Sequence, residues 1–362
     1  MRVQSMCTTS TMDTEGCVQQ ILAIAAAGGE LVRLTTQGVR EAENMRVIRE
    51  RVRAAGCDVP LVADVHFNPA VADVAARYCE KVRINPGNYV DAARQFKQLS
   101  YTDEEYAAEL QKIEDRLIPF LNICREHVTA VRIGVNHGSL SDRIMSRYGD
   151  TPAGIVESCM EFLRVCMKEK FLNVVVSIKA SNTVVMVESV RLLCQAMDAE
   201  GMTFPLHLGV TEAGEGEDGR LKSAVGIGAL LVDGIGDTIR VSLSEPPENE
   251  IPVAYSLLQA ARLRMTKTEY ISCPGCGRTL YDLSATIQRI KAATSHLTGL
   301  KIGIMGCIVN GPGEMADADY GYVGAARGKV SLYRGKECVE KNVPEEDAVE
   351  KLLAIIHADG RC

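Results

Sequence analysis

Short apolar runs alternate with amphipathic segments from the start of this 362-residue chain to about residue 245. Runs of four to eight apolar or β-branched residues predict strands, and apolar positions that recur every three or four residues predict helices with one buried face. The pattern predicts eight strands, at 2–6, 31–36, 60–66, 81–86, 130–136, 173–180, 206–212 and 238–243. Helices are predicted between them, at 40–54, 69–79, 152–170, 182–200 and 220–232.

The connections between these strands indicate the fold class. Strands joined by segments long enough to hold a helix usually pair in parallel, and eight such units over about 260 residues are typical of a (β/α)8 TIM-type barrel, an α/β fold. Residues 89–129 are longer than the other connections, and we expect them to add an extra charged, solvent-exposed helix or pair of helices. A helix over 251–265 would complete a barrel domain of residues 1–265.

A different pattern begins after a segment rich in proline and acidic residues at 244–250. Such segments break regular structure and often separate domains. Residues 266–362 then mix the two periodicities, which predicts a small α+β domain. Its predicted elements are a helix at 279–293, strands at 300–305, 320–325 and 329–334, and a last helix at 344–358.

Composition and charge exclude several classes of partner. The 40 Lys and Arg against 47 Asp and Glu give a formal net charge of −7, which argues against a broad nucleic-acid surface. No run of about 18 apolar residues predicts a membrane span, and the first residues lack the order of a signal peptide. We therefore expect a cytoplasmic protein without a membrane partner, in which the thirteen cysteines are thiols or metal ligands rather than disulfides.

Polar side chains lie at the ends of most predicted barrel strands. In a TIM-type barrel the carboxyl ends of all strands meet at one mouth, where catalytic residues lie. Five of these side chains are cations that would repel one another, so we expect a polyanionic ligand among them, and arginine forks favour a small molecule with a diphosphate. The polar residues at these ends are Arg33, Asp64, His66, Arg83, Asn85, Asn88, Arg132, Asn136, Lys179, Glu212, Arg240 and Ser242.

The same residues allow other interpretations. Some of the cations could form internal ion pairs that hold the barrel together. Lys179 also suits a Schiff-base lyase of a phosphorylated substrate, in which a desolvated lysine is the nucleophile. Asp64, His66 and Glu212 suit either the orientation of neighbouring groups or proton transfer, and the sequence leaves that choice open.

Three cysteines stand in a distinctive context, Cys273-Pro-Gly-Cys276 and Cys307 within GCIVNGPGE. A C-x-x-C pair places two thiolates at one metal or cluster, and neighbouring glycine and proline let backbone N–H groups approach sulfur. Three thiolates favour an iron–sulfur cluster with a non-cysteine fourth ligand, for which Glu314 is the candidate. A structural zinc site is the alternative, although zinc normally takes a fourth cysteine or histidine.

The motifs of both predicted domains resemble those of the 4-hydroxy-3-methylbut-2-en-1-yl diphosphate synthase family. The matching segments are VADVHFNP, KVRINPGN, VRIGVNHGSL, SIKASN, HLGVTEAG and DTIRVSL in the barrel, and SCPGCGRT and GIMGCIVNGPGEMADADYG in the tail. The resemblance covers essentially the whole chain. It implies an oxidoreductase of the non-mevalonate pathway of isoprene biosynthesis. The implied reaction is reductive ring opening and dehydration of 2-C-methyl-D-erythritol 2,4-cyclodiphosphate to 4-hydroxy-3-methylbut-2-enyl diphosphate.

The resemblance also implies a cofactor and residue roles. A 4Fe-4S cluster would be held by Cys273, Cys276, Cys307 and Glu314, with Glu314 the exchangeable ligand. The substrate diphosphate would be held by Arg33, Arg83, Arg132, Lys179, Arg240 and Ser242, with hydrogen bonds from Asn85 and Asn136. Asp64, His66 and Glu212 would line the reacting end, where Glu212 is expected to supply the proton.

Partners follow from the same resemblance. It implies reduced flavodoxin or ferredoxin as electron donor and a head-to-tail homodimer, in which the cluster domain of one subunit covers the barrel of the other. The motifs are closest to those of longer, three-domain members, yet residues 244–266 leave no room for a middle domain. The chain also starts closer to its first strand than is usual in the family, so we expect a short N-terminal segment to be missing. An iron–sulfur electron carrier without enzymatic activity is a further hypothesis, against which the cations at the barrel mouth argue.

Overall fold

The computed structural model describes residues 1–361 and divides the chain into two compact units, which meet between Ala261 and Arg262. This point lies a few residues before the end of the predicted barrel domain at 265. The first unit contains eight strands: β1 (Arg2–Met6), β2 (Leu31–Thr36), β3 (Leu61–Val65), β4 (Lys81–Ile84), β5 (Ala130–Asn136), β6 (Val174–Lys179), β7 (His207–Leu208) and β8 (Thr238–Ile239).

These strands form a parallel barrel. Their order in the sheet is β6-β5-β4-β3-β2-β1-β8-β7, and every neighbouring pair is parallel. A parallel bridge between Val176 and Leu206 joins β6 to the residue before β7 and closes the ring. The TIM-type barrel predicted from the alternating pattern is therefore confirmed.

Helices of the first unit surround this barrel. They are α1 (Thr14–Ala26), α2 (Val39–Ala54), α3 (Pro69–Ala75), α4 (Pro86–Tyr89), α5 (Asp103–Glu126), α6 (Asp142–Tyr148), α7 (Pro152–Lys168), α8 (Thr183–Ala199), α9 (Gly216–Val232) and α10 (Glu250–Ala260). Short 3-10 turns lie at His137–Ser139 and Pro247–Asn249. No helix within residues 1–361 is both long and apolar enough to cross a bilayer.

The expectation of an extra helix at 89–129 was wrong. The segment holds one long helix, α5, which is the barrel's own connection between β4 and β5, because α4 is only a single turn. Leu117, Phe120 and Leu121 on its inner face are fully buried in the barrel core. The exposed face of α5 carries the charges that dominate the sequence pattern. For this reason the sequence pattern suggested an extra helix outside the barrel instead of one of the barrel's own helices.

The last two barrel strands are much shorter than the predicted 206–212 and 238–243. After two residues each, the chain leaves the hydrogen-bonded ladder and forms loops at the carboxyl end of the barrel. Gly209 lies at this point because a Cβ there would come within 2.8 Å of the Arg240 carbonyl oxygen and 2.7 Å of Lys179 Nζ. Glu212, Arg240 and Ser242 therefore lie in loops rather than on strands.

The second unit is a mixed sheet with helices. Its elements are β9 (Glu269–Ser272), α11 (Leu283–Thr294), β10 (Lys301–Met305), α12 (Gly311–Glu314), β11 (Tyr320–Ala326), β12 (Lys329–Arg334), β13 (Glu337–Pro344) and α13 (Glu345–Ala358). The sheet order is β13-β12-β11-β10-β9, parallel from β9 to β11 and antiparallel from β11 to β13. Helices α11 and α13 pack together, and Ile290, Leu352 and Ile356 are fully buried between helices and sheet.

Candidate active site

A cavity of about 820 Å³ opens at the carboxyl ends of the barrel strands, and we call it the mouth cavity. Its walls are formed by the last residues of the barrel strands and by the loops that follow them, as the topology of a parallel barrel requires. They comprise residues 35–37 at the end of β2, Asp64 of β3 with residues 66–68 after it, and residues 136–139 at the end of β5. Thr211 and Glu212, in the loop after β7, also line the cavity.

Asp64 is the anionic centre of the buried polar cluster below the cavity. Its Oδ1 lies 2.8 Å from Arg83 Nη1, and its Oδ2 lies 3.6 Å from Arg33 Nε. Burial alone would raise the pKa of Asp64, but the guanidinium groups of Arg33 and Arg83 outweigh burial and hold that pKa well below its usual range. Asp64 is therefore ionised at neutral pH and orients two arginines.

His66 lies beside this cluster with one edge toward the cavity. Its Nε2 contacts Arg83 Nη1, and its Nδ1 lies 3.2 Å from the Asn88 side-chain nitrogen. Burial, together with the charge of Arg83, lowers the pKa of His66 to about 4. The ring is consequently neutral at pH 7 and does not act as a cationic acid.

Arg132 and Lys179 carry charges that the protein does not balance. Arg132 is 1% exposed, and its Nε and Nη1 have no hydrogen-bond partner in the described part of the chain. It pairs directly with Arg83 across β4 and β5, an arrangement of like charges that is destabilising by itself. Lys179 is also buried, and neither cation forms an ion pair within residues 1–361. Burial lowers the pKa of both groups, so an anionic ligand would relieve a real electrostatic cost.

The three other predicted cations already have partners. Arg240 Nη2 and Nε lie 2.9 and 3.2 Å from the two carboxylate oxygens of Glu250. Arg33 shares Asp64 with Arg83, as described above. The alternative of internal ion pairs thus applies to part of the set, and the uncompensated charge is concentrated on Arg132 and Lys179.

The remaining predicted residues differ in how available they are. Asn85 is buried, donates to Ser139 Oγ at 2.8 Å and accepts from the Gly87 N–H, so its polar atoms are engaged within the protein. Asn136 and Glu212 line the mouth cavity. Ser242 is half-buried in the loop after β8.

Glu212 has an unusual backbone conformation. Its φ of 53° lies in the left-handed region, which costs a residue other than glycine on the order of 1–2 kcal/mol. The side chain is exposed at the wall of the mouth cavity. The strained backbone therefore presents a solvent-accessible carboxylate toward the space where a ligand would bind.

His137 is a cavity residue that the sequence analysis did not single out. It lies in the 3-10 turn after β5, lines the mouth cavity, and its Nε2 contacts the carboxylate of Asp150. The one available signal was its position in the polar run NHGS directly after a predicted strand. Its carboxylate partner, thirteen residues further on, follows α6 and could be recognised only in three dimensions.

A second cavity, of about 370 Å³, lies in the second unit, and we call it the cysteine cavity. Strands β9 and β10 are parallel neighbours, so the loops that follow Ser272 and Met305 emerge at the same edge of the sheet. Cys273, Cys276, Cys307 and Glu314 all line this cavity, together with Arg278. The four predicted ligands are thus brought to one place by the topology of the sheet.

Hydrogen-bond donors point at the sulfur atoms of this cavity. The N–H of Gly306 donates to Cys273 Sγ at 3.2 Å. The backbone N–H of Val309 and the guanidinium of Arg278 lower the pKa of the Cys307 thiol, which favours the thiolate that binds metals. Within residues 1–361 no three histidine, cysteine or acidic side chains gather around a single metal ion, whereas these four face one cavity. Such a donor set fits a cluster in which each ligand holds a different iron.

Comparison with known proteins gives matches in both units. Residues 1–255 match the GcpE TIM-barrel domain, and residues 269–358 match the GcpE protein C-terminal domain. The chain is 53% identical over 360 residues to 4-hydroxy-3-methylbut-2-en-1-yl diphosphate synthase (ferredoxin) of Parasynechococcus marenigrum, with 99% of this chain and 90% of the relative covered.

A second relative is longer. The chain is 47% identical over 583 positions to 4-hydroxy-3-methylbut-2-en-1-yl diphosphate synthase (flavodoxin) of Bacteroides thetaiotaomicron, with 100% of this chain and 95% of the relative covered. Because this alignment is longer than the 362 residues of the chain, it bridges a segment that only the relative has. The matches confirm the resemblance of the motifs and do not support a Schiff-base lyase with a structural zinc tail. The chain belongs to the 4-hydroxy-3-methylbut-2-en-1-yl diphosphate synthase family.

Proposed function

We propose that the mouth cavity binds 2-C-methyl-D-erythritol 2,4-cyclodiphosphate and that the protein converts it to 4-hydroxy-3-methylbut-2-enyl diphosphate. The reaction takes up two electrons and two protons, opens one bond between carbon and a phosphate oxygen, and releases one hydroxyl group as water. The main observation in support is a pair of buried cations, Arg132 of β5 and Lys179 of β6, that form no ion pair within residues 1–361. The mouth cavity, of about 820 Å³, lies at the carboxyl ends of the barrel strands that carry them. A diphosphate supplies the negative charge that these cations lack.

The residues of the barrel divide this task between them. Arg132 and Lys179 attract the diphosphate, and Arg33 and Arg83 present their guanidinium groups in an orientation that Asp64 maintains. Neutral His66 packs against Arg83 and limits its movement. Arg240 and Ser242 are proposed to complete the diphosphate site at the loop after β8, and Asn85 and Asn136 to complete it at β4 and β5.

The proton that accompanies loss of water needs a donor at the mouth cavity. Asp64 is held ionised by two arginines, and His66 is neutral at pH 7. Glu212 is exposed and lines the cavity from a strained loop position. We therefore assign the proton transfer to Glu212, while Asp64 and His66 position the binding groups.

We further propose that the cysteine cavity holds a 4Fe-4S cluster through Cys273, Cys276, Cys307 and Glu314. When bound, such a cluster supplies electrons one at a time at low potential. Glu314 is exposed at the end of the single-turn helix α12, and a carboxylate is a harder, less firmly held ligand for iron than a thiolate. Glu314 would therefore be the most weakly held of the four ligands.

The electron donor is proposed to be reduced flavodoxin or ferredoxin, since the relatives carry both names. We also propose a homodimer, because this chain lacks the long segment of the flavodoxin-named relative and matches the ferredoxin-named one over 99% of this chain and 90% of the relative. The twelve cysteines among residues 1–361 are all free thiols, which fits a reducing, cytoplasmic environment.

The decisive experiment is anaerobic purification followed by iron and sulfide analysis and an EPR spectrum of the reduced protein, with and without the cyclodiphosphate. We expect four irons per chain and a spectrum that changes when the substrate is added. A protein that contains zinc and no iron would overturn the assignment of a 4Fe-4S cluster. A spectrum indifferent to the cyclodiphosphate, with iron present, would overturn the proposed substrate and favour an electron carrier.

A further inference from the structure

We propose that Arg278 is a positioning residue whose positive charge stabilises the reduced form of the cluster in the cysteine cavity. This inference rests on the proposed function, because it requires the cluster to be present. Arg278 belongs neither to the proposed diphosphate site nor to the proposed set of cluster ligands. Arg278 lies two residues after Cys276 and lines the cavity together with the four proposed ligands.

Arg278 places its charge beside ligands from both cysteine segments. It lines the cavity together with Cys276, in the C-x-x-C loop after β9, and Cys307, in the loop after β10. Its guanidinium interacts electrostatically with the sulfur atoms of both residues. A side chain that only stabilised one loop would not need to reach the other.

The charges that line the cavity explain why the position of Arg278 affects reduction of the cluster. Three thiolates and one carboxylate bring four negative charges to the ligand set, and within the described chain Arg278 is the only cation that lines the cavity. Addition of an electron makes the site more negative still. A cation that lines the same cavity as the ligand sulfur atoms stabilises the added charge, and net charge is one of the factors that set cluster potentials.

The neutral donors at the same sulfur atoms act in the same direction but more weakly. The N–H groups of Gly306 and Val309 supply hydrogen bonds to Cys273 and Cys307 without a full charge. We therefore expect Arg278 to be the largest single side-chain contribution to the potential. Because the side chain is exposed, salt should reduce its effect.

In electron balance, one electron leaves the reduced flavodoxin or ferredoxin and one is gained at the cysteine cavity, without a bond to protein being formed or broken. Arg278 remains protonated throughout, since guanidinium does not release its proton in this range. Its contribution is therefore to the equilibrium of this transfer. Loss of the charge should make the site harder to reduce by the same donor.

The test is a redox titration, followed by EPR, of the unmodified full-length protein and of the variants Arg278→Gln and Arg278→Lys, all purified anaerobically. Lys336→Gln is the matched control, because Lys336 is exposed in the turn between β12 and β13, at the opposite edge of the sheet. We expect a more negative midpoint potential for Arg278→Gln, a smaller shift for Arg278→Lys, and none for Lys336→Gln. The shift should shrink as salt is raised.

Each result has a defined meaning. A midpoint potential for Arg278→Gln equal to that of the unmodified protein would overturn the inference. If Arg278→Gln loses its iron, Arg278→Lys decides: retention of the cluster at a near-normal potential supports the charge effect, and loss of iron there as well would make Arg278 a structural residue and overturn it. Absence of iron from the unmodified protein would instead overturn the proposed cluster itself, so the two failures are distinguishable.

Discussion

Arg83 and Arg132 are among the largest fully buried side chains of the protein, and they lie side by side on neighbouring strands. Most barrels fill this space with branched apolar side chains. Here Gly134 of β5 makes room for the guanidinium, since a Cβ there would come within 2.5 Å of Arg83 Nε. The interior is therefore built for ligand binding at the expense of stability, a balance often found at functional sites.

Arg132→Met tests that balance. Removal of a buried cation that has no ion-pair partner should raise the free energy of unfolding of the ligand-free protein by about 1–3 kcal/mol. Affinity for the cyclodiphosphate should fall by about 10- to 100-fold, the effect of losing a charged hydrogen bond. Urea unfolding and isothermal titration calorimetry measure the two effects.

Arg83→Met is the matched comparison, because it has the opposite effect on stability. It leaves the buried carboxylate of Asp64 without its closest partner, at 2.8 Å, and should destabilise the protein by about 3–5 kcal/mol. If both variants changed stability in the same direction, the assignment of Arg132 as the uncompensated cation would be incorrect.

His66 gives a prediction about pH. Its pKa in the folded protein is about 4, below the ordinary 6.5, so between these values the unfolded chain binds more protons than the folded one. Stability should therefore rise with pH from about 4 to 6.5 and level off above. His66→Gln should flatten this part of the curve, as measured by urea unfolding at a series of pH values. An unchanged curve would show that His66 is charged or exposed in the folded state.

At the scale of elements, periodicity predicted most of the barrel correctly but misjudged α5. The exposed face of this helix is highly charged, while its buried positions are spaced along 24 residues. Strands β9 and β13 were not predicted either. Strand β9 is short and only half-buried, and β13 is a polar edge strand, so each exists because a neighbour, β10 or β12, supplies its hydrogen bonds.

Phe120→Ala distinguishes an integral helix from an added one. Phe120 is fully buried in the barrel core, so its truncation should reduce the free energy of unfolding by about 3–5 kcal/mol. Glu126→Ala, at an exposed position on the same helix, should change it by less than about 0.5 kcal/mol. Urea unfolding of both variants provides the measurement. Equally small changes in the free energy of unfolding for both variants would show that α5 is an added, solvent-exposed helix.

At the scale of the whole molecule, two units contain two different sites. Residues 1–261 hold the mouth cavity and residues from Arg262 onward hold the cysteine cavity, and each site is assembled by the parallel strands of its own sheet. One chain thus contains a candidate site for an anionic substrate and a candidate site for a cofactor that supplies single electrons.

Cys307→Ser should separate these two sites. We expect loss of iron and of the brown absorbance, together with loss of activity, while cyclodiphosphate binding to the barrel persists. Cys338→Ser is the control, because Cys338 lies in β13 of the same unit and does not line the cysteine cavity. Full activity in a colourless Cys307→Ser protein would exclude the proposed cluster chemistry.

The sequence by itself determined the barrel, the family and the identity of the candidate ligands. Alternation of short apolar runs with amphipathic segments is a local property, and so is the spacing of Cys273 and Cys276. These features could be recognised because each depends on residues that are close together in the chain.

Only the tertiary structure decided which charges are balanced. The sequence showed five cations at strand ends, but not that Glu250 pairs with Arg240 or that Arg132 has no ion-pair partner among residues 1–361. Nor did it show that His137 reaches Asp150, or that Arg278 lines the same cavity as Cys307. Electrostatic and hydrogen-bonded partners are chosen by proximity in space, across strands and loops distant in sequence. For that reason the candidate ligands could be predicted from the sequence, whereas the ion pairs and hydrogen bonds around them could not.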